Sequence, residues 1–583
     1  MLGTFLLNIK KIIYLSDKKK YFRSIVFYSS AAFLDLLALT FVAPLIEIIT
    51  QTKSKTNIWS NLIDLSNSNA IYFVGAILIS IYIIKSFFNF NALYYIIRFC
   101  ADAQNKIRNK IFSFYKNIFI TDLGDEKLES YINNISYVTN VFTENILHKS
   151  ILIISEIVII AIILVFLAYT NVFGFCFFLI FFLIFFNIYY RLVKVKIKTV
   201  GKEQSDALKS LINIVTSVFS GYREIKIFNV ENFFDKKFKT NSEKFLKSSI
   251  DYHKLIYLPK YFLEAILITF LILLLLITTY FTSTNVLSNL EIFTVYLLAS
   301  IRLTPLAYNI FASFSVIVSS KFALDQINQE LNKIHNYSES KISFIANKNN
   351  IELNQESFNS LELINIKFSY NKKNYILNDL NLRIEKGDII GIKGKSGTGK
   401  TTIVNLLLGL LNLDKKDGKF LVNNKFEIDK TNLRSLISYT PQKPFILEGE
   451  SISRNIAIGL EDNEIDYERI KQCILSVDLN EKFLKIFENK TSLLDQKINS
   501  NILSGGQAQK IAIARNIYYK RFFNIFDEFT SALDTDTEDL ILKNLKKIIT
   551  NQTTIIISHR DSTLKYCNKI FELKENKLNQ IKI

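Results

Sequence analysis

Residues 389–402 read Ile-Ile-Gly-Ile-Lys-Gly-Lys-Ser-Gly-Thr-Gly-Lys-Thr-Thr. The first five are a short apolar run of strand type. The next eight have the spacing Gly-x4-Gly-Lys-Thr, and Thr401, Thr402 and Ile403 open a helical pattern. A glycine-rich turn between a strand and a helix points backbone N–H groups at one spot, and the helix N-terminus adds positive potential there. This geometry cradles phosphates. Gly394, Lys395, Ser396, Gly397, Thr398 and Gly399 form the cradle, with Thr402 behind them. Lys400 is placed for the β- and γ-phosphates of a nucleotide, and Thr401 for its Mg²⁺. A chance glycine turn is the competing reading, and the flanking strand and helix argue against it.

About 130 residues on, Phe522-Phe523-Asn524-Ile525-Phe526 is an apolar strand ending in Asp527-Glu528. Asp527 can hold Mg²⁺ through water, and Glu528 can polarise an attacking water as general base. Asn524 is a polar interruption of this strand. Alone, a strand ending in Asp-Glu is weak evidence; following a phosphate loop at this distance it is strong.

Between them lies Leu503-Ser504-Gly505-Gly506-Gln507. Here the sequence resembles the ATP-binding cassette transporters, whose signature this is. Other family positions follow residue by residue. The resemblance implies that Tyr370, in Phe368-Ser369-Tyr370, stacks on adenine. Gln442, in Thr440-Pro441-Gln442, would contact Mg²⁺ and water. Ser531-Ala532-Leu533-Asp534 would be the loop that crosses a dimer interface, and His559 would hold the γ-phosphate. It further implies that Ser504, Gly505, Gly506 and Gln507 close on ATP bound by a second subunit, so that function needs a dimer, either a homodimer, which is the expectation here, or a pair with another half-transporter. The expected catalytic set is Glu528, His559 and Gln442; the expected Mg²⁺ set is Thr401, Gln442 and Asp527. Asp534 joins the nucleotide-contacting set through its loop. Two departures stand out: Phe529 occupies a position where Ala is usual, and Gln496 to Ile502 lacks the common glycine- and glutamate-containing stretch.

The first half of the chain has a different composition. Of 583 residues, 49% are hydrophobic and 21% charged, and most long apolar runs precede about residue 320. A membrane-spanning helix needs about 20 mostly apolar residues. Six segments qualify, near 22–49, 70–95, 149–169, 173–193, 257–281 and 287–317. Long polar, basic connections at 99–148 and 194–256 read as helices that leave the membrane and return. Lys and Arg gather in those connections and at Lys18, Lys19, Lys20 and Arg23, which places them, the N-terminus and the C-terminal domain on the cytoplasmic side. No cleavable signal peptide is evident. The net charge of +18 fits an anionic membrane surface, and no aromatic–basic interleaving of a nucleic-acid groove is present. Four scattered cysteines and four scattered histidines indicate neither a disulfide framework nor a metal cluster.

The expected fold is therefore an all-α six-helix transmembrane domain (1–335), a linker (336–360) and an α/β P-loop NTPase domain (361–583). Asp122-Leu123-Gly124-Asp125 and Ser220-Gly221-Tyr222-Arg223-Glu224 are candidate coupling turns, with a simple helix kink as the alternative. Trp59 marks either a short interfacial helix or an ordinary loop. Ionisable residues in or near the spans are Asp35, Glu47, Lys85, Glu156, Glu264 and Arg302. Such groups face a cavity or a partner. Lys85, Glu264 and Arg302 are the better candidates for a substrate path, and structural ion pairs are the competing reading. Within the exporters the chain resembles the bacterial lipid-linked oligosaccharide flippases, through Pro259-Lys260-Tyr261-Phe262-Leu263-Glu264, Arg302-Leu303-Thr304-Pro305, Asp35 with Pro44, and the Trp59 region. That resemblance implies movement of an oligosaccharide pyrophosphate head across the inner membrane past a basic cavity in which Arg302 and Lys85 offer charge. A multidrug or lipid exporter is the alternative.

Overall fold

A computed structural model describes residues 17–50, 70–118, 128–170, 172–282, 286–345, 358–370, 374–411, 415–424, 436–479, 497–499, 503–548 and 552–581, with 413, 426–427, 434 and 501. The chain divides into two compact units, one helical and ending near residue 344, the other following it. The Trp59 segment and the candidate turn 122–125 lie outside the described residues, as do the side chains of Pro44 and Glu47.

The helical unit begins at Lys18–Ser29, capped by the Asp17 carboxylate, which accepts from the Lys19 and Lys20 amides at 3.1 and 3.3 Å. Ala31–Thr50 continues after a break at Ser30. Ala70–Asn117, Lys149–Thr170, Val172–Ser220, Glu231–Thr282 and Val286–Ser319 follow. Helices thus run through all six apolar segments. Among the described residues, four stretches are long and apolar enough to cross a membrane: 71–117, 130–170, 231–273 and 293–319. Their exposed faces carry Tyr72, Phe73, Ile83, Phe87 and Tyr261. An apolar exterior of this extent suits lipid rather than water. In their described residues the long connections are mostly helical extensions, as their polar, nearly Gly- and Pro-free sequence predicts. At the far end of one, Ser220 closes a helix, and Tyr222–Ile227 forms a short separate helix with Tyr222 and Ile227 exposed. Lys321–Ile345 is helical, so helix continues into the first part of the segment read as linker.

The two larger apolar clusters among the described residues hold this unit. One joins Tyr21, Ile96, Ile111, Phe142, Leu147 and Leu324. The other joins Ile159, Ile163, Leu167, Phe270 and Tyr296. A polar chain crosses beside the first. Gln326 donates to Asn134 Oδ1 at 2.6 Å, Asn134 to the Tyr115 hydroxyl at 3.0 Å, and Tyr115 to Glu330 at 2.9 Å.

The C-terminal unit is a two-sheet α/β domain. Its larger sheet has the spatial order Lys577–Ile581, Lys569–Lys574, Ile389–Lys393, Thr553–Ile557, Phe523–Asp527 and Ile437–Thr440. All neighbours are parallel except the first pair. Strands covered on both faces must be apolar throughout. Thr553–Ile557 and Phe523–Asp527 are accordingly buried at every position. Asn524 is accommodated because its amide donates to Gln552 Oε1 at 2.8 Å. The smaller, antiparallel sheet is built from Leu377–Glu385, Ser360–Phe368, Lys419–Val422 and Phe426–Glu427.

Phe529 fills the core just past the sheet. It is 1% exposed, and its ring lies 4.7 Å from that of Phe526. Phe529→Ala is expected to lower the stability of this unit by about 3–5 kcal/mol through the cavity it leaves. Denaturant titration of the purified chain checks this.

Candidate functional site

In a parallel sheet, loops that leave the carboxyl ends of neighbouring strands meet at one edge. Four such loops meet here. The loop after Ile389–Lys393 carries Gly394 to Gly399, and the helix Lys400–Leu407 follows. Gly399 has φ +109°, and a Cβ there would lie 2.8 Å from the Ile376 side chain, so glycine is required. The loops after the other three strands carry Glu528, His559 and Gln442.

The side chains converge. Lys400 Nζ donates to the carbonyls of Gly394 and Lys395 at 2.7 and 3.0 Å, which folds the loop around its ammonium. It also lies 2.9 Å from His559 Nε2, itself 3.2 Å from Glu528 Oε1. One ring nitrogen serves one of these at a time: bare, it accepts from Lys400; protonated, it donates to Glu528. Gln442 Nε2 donates to Glu528 Oε2 at 2.5 Å. Burial pulls the Lys400 ammonium below its usual pKa, against the opposing pull of Glu528 and Asp527. Burial, and then the Glu528 charge, push the Asp527 carboxyl up. Tyr439 donates to Asp527 at 3.3 Å.

Glu528 itself has φ +45°. For a residue with a Cβ this backbone conformation is costly, of order 1–3 kcal/mol, and it concentrates at functional sites. The Glu528 amide donates to Ile557 O at 2.9 Å, which fixes the turn and aims the side chain away from the strand axis.

Tyr370 follows Ser360–Phe368. It is 52% exposed and edge-on to Phe368, with its hydroxyl 3.5 Å from Thr402 Oγ1. An exposed ring fixed at one edge can serve as a stacking platform.

Ser504 to Gln507 form a separate group. Ser504 caps the helix Gly505–Tyr519, accepting from the Gln507 amide at 3.2 Å, while Gln507 Oε1 accepts from the Ser504 amide at 2.8 Å. A Cβ on Gly506 would lie 3.0 Å from Ala532 O, so the 531–534 loop packs closely on this glycine. Asp534 caps the next helix, its carboxylate accepting from the Thr537 amide at 3.1 Å.

Sequence reading missed several supporting residues. Gln509 is fully buried and donates to Pro441 O at 3.2 Å, tying the signature helix to the loop of Gln442. Tyr439 and Glu538 were also missed. A polar residue on a buried helix face is the only local signal for Gln509 and Glu538.

In the helical unit, the Asp35 carboxylate is 4% exposed. Lys85 bonds to it directly, and Arg302 binds it through Nε at 2.9 Å and a terminal nitrogen at 2.8 Å. Lys85 and Arg302 are therefore ion-paired, as the structural reading of these residues allows. Glu156 accepts from Asn309 at 3.1 Å, and Glu264 is exposed on its helix.

Fold and site together define a membrane-type helical unit joined to a nucleotide-binding cassette. Residues 22–306 match the family described as ABC transporter transmembrane region, and residues 377–531 the family described as ABC transporter. The chain belongs to the ABC transporters, with the layout of an exporter half-transporter. It is 36% identical over 248 residues to an export ATP-binding/permease protein of Rickettsia typhi, covering 41% of each chain. It is 31% identical over 272 residues to the lacticin-481/lactococcin-DR transport/processing ATP-binding protein of Lactococcus lactis, covering 46% of this chain and 38% of that one. The matched stretch is thus less than half the length of either relative. The fold is similar to that of a bacterial Atm1-family ABC exporter solved with ATP bound, with a TM-score of 0.69 and 18% identity over 97% of this chain and 95% of that one.

Lys400→Ala removes the one buried ammonium at the phosphate loop. A charge-assisted hydrogen bond contributes about 1.5–3 kcal/mol. ATP binding, titrated with a fluorescent analogue, is expected to weaken roughly 10- to 100-fold.

Proposed function

We propose that this chain is one half of an ATP-driven exporter and works as a homodimer. One observation carries the reading: Lys400, His559, Glu528 and Gln442 form a single hydrogen-bonded set at the carboxyl edge of a parallel sheet. In this proposal Lys400 and the loop Gly394–Thr401 bind the phosphates, and Tyr370 stacks on adenine. Glu528 orients and deprotonates water, and His559 steadies the γ-phosphate. The Thr401 hydroxyl, Gln442 amide and Asp527 carboxylate are hard oxygen donors of the kind Mg²⁺ takes, and the ion when bound neutralises phosphate charge. Ser504, Gly505, Gly506, Gln507 and Asp534 would face the partner's nucleotide.

The basic connections support a cytoplasmic N-terminus and cassette, in a bacterial inner membrane. The short helix Tyr222–Ile227, at the tip between two long helices, supports the 220–224 segment as a coupling turn. The domain limits 1–335, 336–360 and 361–583 belong to the same proposal.

For cargo we take an amphipathic lipid with an anionic head, an oligosaccharide pyrophosphate. The Asp35–Lys85–Arg302 cluster has a net charge of +1, and a surplus cation among membrane helices suits such a head better than a purely apolar molecule. A multidrug or lipid exporter is the second reading. It is favoured by the pairing itself, since Asp35 already occupies both cations.

Glu528→Gln should keep ATP binding while steady-state hydrolysis falls to background; hydrolysis at the wild-type rate would refute the assignment. In proteoliposomes, lipid-linked oligosaccharide should stimulate ATPase activity more than drugs or phospholipids do. Arg302→Ala should reduce that stimulation while sparing basal hydrolysis, whereas stimulation by drugs alone would favour the second reading.

A further inference from the structure

We infer that Glu538 is the positioning residue for His559, and that it acts by tying the histidine's loop to the helix that follows the 531–534 loop. The inference rests on the ATPase reading above and adds a residue to it.

His559 is 47% exposed at its side chain, and its ring meets Lys400 and Glu528. Little packing fixes the ring, so its placement depends on the backbone of 558–563. Besides its backbone hydrogen bonds, that segment is tied to a neighbouring helix by one carboxylate. Glu538 is 2% exposed and accepts from three side chains of the segment that follows the histidine. The Arg560 guanidinium bonds to Oε2, Thr563 Oγ1 donates to Oε1 at 2.7 Å, and Ser562 Oγ donates to Oε1 at 3.2 Å. Thr563 is itself fully buried. The Arg560 amide donates to Ser558 Oγ at 3.0 Å, which closes the turn on the other side of the histidine.

A buried carboxylate is costly unless its oxygens are paired and hydrogen-bonded. Here one ion pair and two hydroxyls meet that need, and all three come from four consecutive positions, 560 to 563. The arrangement is rigid because moving the loop would strand the charge. Glu538 lies in the first turn of Thr535–Ile548, where a carboxylate is also favoured by the helix dipole. That helix is capped by Asp534, the last residue of the loop packed on Gly506. A shift of the 531–534 loop is therefore passed through Glu538 to the backbone that carries His559. Glu538 touches neither Lys400 nor Glu528, so its effect on hydrolysis runs through His559.

The test is steady-state ATP hydrolysis by the full-length chain. Glu538→Gln keeps the shape but replaces one acceptor oxygen with a donor facing Arg560. It should lower kcat about 10- to 100-fold, as expected when a reacting group is displaced by about an ångström, with the KM for ATP little changed. Thr563→Val removes one hydroxyl at nearly constant volume and should lower kcat a few-fold with the same KM, which keeps the test open if Glu538→Gln folds poorly. In a His559→Ala background neither change should lower the residual single-turnover rate further. Losses that multiply in that background, a fall confined to ATP affinity, or wild-type kcat in both variants would each overturn the inference. A wild-type chain that binds ATP but does not turn it over would instead sink the ATPase reading, and this one with it.

Discussion

Four parallel strands ending at one level are what the cassette depends on. Thr554 to Ile557 pair with Ile389 to Ile392 on one side, and Thr553 to Ile557 with Phe523 to Asp527 on the other. The register delivers the phosphate loop, His559 and Glu528 to the same edge, and Ile437–Thr440 adds Gln442. None of these side chains holds its position by itself. Lys400 is folded back onto its own loop carbonyls, Glu528 is turned by an unusual φ, and His559 is half exposed. A slip of one residue in either strand pair would turn each strand over and bury what now faces the edge.

What could be read in advance follows from the range of the interactions. The phosphate loop, the strand ending in Asp527-Glu528 and the Ser504–Gln507 signature are local arrangements, in which the spacing is the structure. The S-x-x-Q spacing of Ser504 and Gln507 is itself a capping pattern. The apolar helices were legible because a membrane span demands length and composition from each helix separately, and four of them meet that demand among the described residues. The rest is pairing across distance. Asp35 meets residues 50 and 267 positions away, and no spacing rule links them. Glu538 and Arg560 are 22 apart, on different elements, and each looks like an ordinary surface charge in the sequence. Phe529 was visible as a departure from the family pattern, yet only the Phe526 ring beside it explains why a large side chain is tolerated there.

The Asp35 cluster links three helices, Ala31–Thr50, Ala70–Asn117 and Val286–Ser319, by charge rather than by shape. Removing one member of a buried ion pair costs more than the pair contributes, because the remaining charge is stranded. With two cations on one carboxylate the consequences are unequal. Losing Asp35 strands two positive charges; losing Lys85 or Arg302 leaves a neutral pair. The cluster is thus more tolerant at Arg302, the most exposed of the three at 32%, than at Asp35. A residue that is both half-accessible and dispensable to the ion pair is the one free to change partners.

The signature group poses the same question of exchange. The Ser504 amide, one of the donors at the start of its helix, is already taken by the Gln507 side chain at 2.8 Å. A phosphate arriving there would replace an existing hydrogen bond rather than add one. Net gains from such exchanges are small, about 0.5–1.5 kcal/mol for a neutral bond and more when the acceptor is charged. The gain on closing over a nucleotide would therefore come from the phosphate's charge at a helix N-terminus, not from the number of bonds formed.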